Sequence, residues 1–149
     1  LSLLTALKYN GWTDSYYTTS KGKARPDGNS TNYGLRGYWR PDSESQAVPE
    51  ISAGYDISTV EGQNADTDAY FFGLTWKDTF QADDKIGFAF GQPQTAETDT
   101  LTPFTWEAYY SYKLNDSITV TPAIFGATDR TGTEGVDITG AVVQTTFKF

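Results

Sequence analysis

The sequence predicts an all-β fold, an antiparallel transmembrane β-barrel, on three observations. Apolar residues recur with period two in segment after segment, the mark of strands with unlike faces. The connections between these segments alternate long and short. No apolar run approaches the roughly eighteen residues that a membrane-crossing helix needs, and the mean hydropathy of −0.50 is too polar for a helical membrane protein.

The last twelve residues set the pattern: Ala141, Val143, Thr145, Phe147 and Phe149 alternate with Gly140, Val142, Gln144, Thr146 and Lys148. A run of about ten residues closing on an aromatic has the length of a tilted spanning strand. Leu1 to Asn10 alternates in the same way, with Leu1, Leu3, Thr5, Leu7 and Tyr9 on one side. Gly11 to Asn32 is polar and rich in breakers and reads as a loop, with a turn at Asp27-Gly28 after Pro26.

Tyr33 to Arg40 carries Tyr33, Leu35 and Trp39 against Arg36, Tyr38 and Arg40. Val48 to Ile57 carries Ile51, Ala53, Tyr55 and Ile57 against Glu50, Ser52, Gly54 and Asp56. Asp68 to Lys77 carries Tyr70, Phe72, Leu74 and Trp76 against Ala69, Phe71, Gly73, Thr75 and Lys77.

Lys85 to Gly91 alternates Ile86, Phe88 and Phe90 with Lys85, Gly87, Ala89 and Gly91. Pro103 to Leu114 alternates Phe104, Trp106, Ala108, Tyr110, Tyr112 and Leu114 with Thr105, Glu107, Tyr109, Ser111 and Lys113. Ile118 to Gly126 is the next strand, and Pro122, which cannot donate to a ladder, predicts an irregularity in it. These segments total eight, with connections too short for parallel crossovers.

The long connections are 11–32, 58–66, 92–102 and 128–137; the short ones are 41–47, 78–84 and 115–117. This alternation places long loops on one rim and tight turns on the other, as in outer-membrane barrels, whose short turns face the periplasm. The faces agree with that reading. One carries most of the Trp, Tyr, Phe and Leu, and the other Gly, Ala, Thr and Ser with scattered charges. Tyr33, Trp39, Tyr70, Trp76, Trp106, Tyr110, Tyr112, Phe147 and Phe149 suit girdles at the two water–lipid boundaries. The alternative is a soluble sandwich or lipocalin-like domain whose aromatics fill a core.

Composition excludes several function classes. There is no Cys, hence no disulfide framework or thiolate nucleophile, and no His, hence no common general base. A net charge of −8 argues against nucleic acid as a partner. The chain begins at Leu1 without a signal-like segment, which reads as a processed chain or the tail of a longer one.

Tyr33-Gly-Leu-Arg-Gly-Tyr-Trp-Arg-Pro41, Ile51-Ser-Ala-Gly-Tyr-Asp56, Trp76-Lys-Asp-Thr-Phe-Gln-Ala-Asp-Asp-Lys-Ile-Gly-Phe-Ala-Phe-Gly-Gln-Pro93 and Ile118-Thr-Val-Thr-Pro-Ala-Ile-Phe125 resemble the C-terminal barrel of cyanobacterial outer-membrane porins. In that family an S-layer-homology domain precedes an OprB-like, carbohydrate-porin-type barrel. The resemblance runs over nearly the whole chain. It implies a trimeric porin in the outer membrane that passes small hydrophilic solutes and inorganic ions by passive diffusion. Such barrels have about sixteen strands, so residues 1–149 read as the C-terminal half. The S-layer-homology domain that would bind peptidoglycan is absent from this chain.

On this reading no catalytic residue, metal or cofactor is expected, and the work is done by pore width and lining charge. The candidate pore-lining residues are Arg36, Arg40, Glu50, Asp56, Lys77, Lys85, Glu107, Lys113 and Lys148. Six basic against three acidic candidates suggest a mild anion preference, with the acidic excess left to the loops. Two other classes stand beside it. A carboxylate-only enzyme would need a matched acidic pair, and none stands out; the Asn64–Asp68 stretch is weakly suggestive of Ca²⁺ but lacks EF-hand spacing. A closed eight-stranded barrel plugged by its own side chains would be an anchor or adhesion protein, although the small residues Gly34, Gly54, Gly73, Gly87, Ala89 and Gly91 suggest a wider lumen.

Overall fold

The computed structural model describes residues 1–8, 29–42, 47–60, 66–96, 99–130 and 134–149. They form eight strands: β1 (Ser2–Lys8), β2 (Ser30–Trp39), β3 (Glu50–Val60), β4 (Thr67–Lys77), β5 (Lys85–Ala96), β6 (Phe104–Asn115), β7 (Ile118–Thr128) and β8 (Ile138–Phe147). Each strand pairs antiparallel with its chain neighbours, giving one sheet in the order β1 to β8. β1 and β8 are its two edges. They do not pair with each other, so the sheet is not closed.

Several strands run further than their apolar patterns. β2 begins at Ser30, and β3 continues to Val60, because Ser30–Asn32 and Ser58–Val60 complete the same ladder. Backbone pairing asks nothing of side-chain polarity. β5 extends to Ala96 through Pro93, where a loop had been expected. The register slips there: Tyr70 pairs with Gln92 but Asp68 with Thr95, so Pro93 and Gln94 sit in a bulge where a missing N–H costs no ladder bond. At Pro122 the ladder to β6 is interrupted opposite Tyr110 and Ser111 and resumes in the same register. The Asp27-Gly28 turn, the stretch 61–65 and most of the first connection lie outside the described residues.

The register joins like faces across the whole sheet. One row runs Trp39, Ile51, Leu74, Phe88, Ala108, Ile124, Ala141. The next row on the opposite face runs Tyr38, Ser52, Gly73, Ala89, Glu107, Phe125, Gly140. Among the described residues no second layer covers either face. Leu35, Ile124 and Val143 on the apolar face are 45%, 52% and 66% exposed. Among the described residues the one fully buried side chain is a carboxylate, that of Asp84.

Glycines pair with aromatics across the strands. Phe71 covers Gly54, Tyr109 covers Gly87 and Phe125 covers Gly140 on the polar face, while Trp106 covers Gly126 on the apolar face. A Cβ at Gly126 or Gly140 would lie 2.6 Å from the facing ring. Each ring shields backbone that glycine leaves bare and fixes the pairing of its two strands.

The β4–β5 connection is built on Asp84. Its carboxylate accepts the backbone N–H groups of Thr79 at 2.7 Å, Phe80 at 3.0 Å and Gln81 at 3.1 Å, and the Tyr110 hydroxyl at 3.0 Å. Asp78 and Asp83 take positive φ, a conformation Asp tolerates better than bulky residues. Asp78 in turn accepts the N–H of Asp83 at 2.7 Å. Phe80 packs edge-on against Tyr110 with centroids 5.8 Å apart. Burial opposes ionisation of Asp84, but the backbone donors and the tyrosine outweigh it and hold its carboxyl below the ordinary aspartate range.

Two outcomes follow for the folded protein. Replacing Gly87 with Val pushes Tyr109 off the strand and lowers stability by about 1–3 kcal/mol, the usual range for overpacking, measured by urea unfolding. Asp84, with its folded pKa depressed, stabilises the fold fully above the ordinary aspartate value of about 3.9, and that contribution disappears as pH falls through the lower folded value. The thermal midpoint of the parent should therefore exceed that of Asp84→Asn by a constant margin at neutral pH. The margin should narrow below about pH 4.

Candidate pore wall

Seven of the nine charged candidates lie within strands, and the register puts Arg36, Glu50, Asp56, Lys77, Lys85, Glu107 and Lys113 on the same, polar face. Arg40 and Lys148 each lie just beyond the ends of β2 and β8. A hollow of about 760 Å³ opens on this face over β3 to β8. Ala69, Ala89, Gly91 and Thr105 line it together with Asp56 and Glu107. A depression spanning six strands is what curvature toward the polar side produces.

Most of the charges are neutralised where they stand. Arg36 meets Asp56 at 2.7 Å. Glu50 binds Arg40 and Lys77, both at 2.6 Å. Lys113 reaches Asp83 at 3.2 Å and Asp116 at 3.4 Å. Asp56 and Glu50 stand two residues out of register from Arg36 and Lys77, diagonal to them on the same face, a separation that long side chains span. The side chains of Lys85, Glu107 and Lys148 have no ion pair or hydrogen bond among the described residues. The count of six bases against three acids thus overstates the free positive charge.

The charges also differ in level. Arg40, Glu50, Lys77, Lys85, Lys113 and Lys148 gather toward the short-turn rim, while Arg36, Asp56 and Glu107 occupy the central rows. Among the loop acids assigned the remaining negative charge, Asp14, Asp27, Glu61 and Glu97 lie outside the described residues. The Asn64–Asp68 stretch is described only from Asp66, and Thr67 and Asp68 already belong to β4. Among the described residues no group of three or more acidic side chains is arranged to hold a metal ion.

The small residues on this face are less open than the sequence suggests. Phe71 and Tyr109 lie over Gly54 and Gly87, so two of those positions are occupied by neighbouring rings. Periodicity alone could not reveal this, because it needs the register between strands.

The girdle candidates all fall on the apolar face. Trp39, Trp76, Tyr110, Tyr112 and Phe147 lie toward the short-turn rim, with Phe149 just past β8, and Tyr33 and Tyr70 toward the other. Tyr110 stacks on Tyr112 at 5.6 Å, and the Trp76 indole N–H donates to Ala47 O at 3.3 Å. Trp106 stands a row inside the rim, pressed on Gly126 beside Phe90. On the same face Phe72, Phe88, Phe90 and Phe104 form an aromatic band with centroids 5.6 to 6.0 Å apart.

No protein-family model, curated protein or solved structure matches this chain.

The ion pairs differ in what they contribute. Glu50 is 13% exposed and serves two cations, whereas Arg36 and Asp56 are each 42% exposed. Glu50→Ala should cost about 1 kcal/mol, by loss of charged hydrogen bonds. Asp56→Ala should stay within about 0.5 kcal/mol, as solvent-screened pairs do. Urea unfolding of both variants under identical conditions measures the difference.

Proposed function

We propose that this chain forms the C-terminal half of an outer-membrane porin, a trimer of the cyanobacterial OprB-like kind that its motifs resemble. The pore passes small hydrophilic solutes and inorganic ions by passive diffusion. One observation carries the reading: a single antiparallel sheet in chain order has an exposed apolar face, a polar face and two unpaired edges. Such a sheet has no core of its own. Lipid suits the aromatic face, and water suits the face that holds the ion pairs. The open edges call for further strands, since an unpaired edge in hydrocarbon leaves backbone groups unsatisfied.

An eight-stranded anchor closed on itself would need β1 to pair with β8, and the sheet has no such pairing. The diffusion reading needs no catalytic group. Solutes would move along the polar wall, and its paired charges would hold a local field without binding any one solute tightly.

The deciding measurement is single-channel conductance of the native protein in a planar bilayer, with intact mass determined on the same sample. Large ohmic steps from a species longer than 149 residues are expected. A folded species of this length that never conducts would overturn the diffusion pore in favour of the plugged anchor.

A further inference from the structure

We infer that Glu107 is the specificity-determining charge of this part of the wall, favouring small inorganic cations over anions at the level of the hollow. The inference deepens the porin reading and rests on it. Glu107 sits in a central row between Ala89 and Phe125. It is exposed and lines the hollow. None of its neighbours supplies a cation. Phe125 is folded over Gly140 and Tyr109 over Gly87, while Thr105 donates its hydroxyl to Gly91 O at 3.1 Å.

The bases on the same face are either engaged or distant. Arg36 is held by Asp56 at 2.7 Å, and its guanidinium lies 5.4 Å from the centre of the Phe71 ring. Arg40 and Lys77 share Glu50, and Lys113 meets Asp83 and Asp116. Arg130 also lines the hollow but is itself engaged.

Distance disposes of the two remaining bases. Lys85 pairs with Ser111, four residues along β6 from Glu107, which is about 14 Å at the rise of an antiparallel strand. That exceeds the Debye length of about 8 Å at physiological salt. Lys148 lies further off, beyond the row that joins Phe147 to Ile118. The carboxylate of Glu107 therefore acts on passing ions with no base paired to it among the described residues. Free charge at the narrow levels of a pore selects; paired charge and charge at the rim do so much less.

The test uses the full-length native protein in planar bilayers under a KCl gradient, comparing it with Glu107→Gln and Glu107→Lys. The parent should favour K⁺. The Gln variant should lower the K⁺/Cl⁻ permeability ratio about twofold, the effect of one charge acting through water over roughly a Debye length. The Lys variant should carry the ratio further toward Cl⁻. All three should converge near 1 M KCl, where the screening length falls to about 3 Å. Unchanged ratios in both variants, with conductance steps intact, would overturn the role of Glu107 and leave the pore standing. A parent protein that does not conduct would remove the pore itself and this inference with it.

Discussion

A sheet one layer thick must find its solvents outside itself, and that constraint governs the rest of this structure. Ordinary domains bury the apolar face of a sheet against a second layer. Here Leu35, Ile124 and Val143 remain open on one side, and no described apolar side chain is fully buried. The hydrophobic contribution of that face is therefore realised only when something apolar covers it. The backbone has the complementary requirement. β2 to β7 are paired on both sides, and β1 and β8 on one side only. The face asks for an apolar medium and the edges ask for more strand, a combination that a closed barrel in lipid satisfies.

Without a core, register has to be fixed locally. The glycine–aromatic pairs do this, because sliding a strand by one residue would carry the ring away from its glycine and set it against a Cβ on the other face. The pairs Gly54–Phe71, Gly87–Tyr109, Gly126–Trp106 and Gly140–Phe125 tie four of the strand junctions between β3 and β8. The Asp84 turn fixes β4 against β5 from the rim and reaches β6 through Tyr110. A carboxylate can take that place because backbone donors and a hydroxyl replace the water it loses.

Charge on the polar face is arranged chiefly by pairing. Arg36 with Asp56, and Glu50 with Arg40 and Lys77, join residues of different strands. A tally of bases and acids suggested anion preference, but ions respond to the charge left uncompensated within a screening length. In the central rows that charge is carboxylate, and toward the short-turn rim it is ammonium.

The sequence by itself determined the strands and their faces, because a period of two depends only on alternation along the chain. The existence of all eight strands, the sorting of aromatics from charges and the rim of each connection were readable from spacing. The tertiary structure decided what depends on neighbours across the sheet. Pro93 lies inside β5 because a bulge opposite Ala69 excuses its missing N–H. The glycines of the polar face are partly filled because cross-strand rings reach them. Most wall charges are spent on each other because register sets them within reach. Alternation fixes which way a side chain points, but only the partner strand decides what it meets.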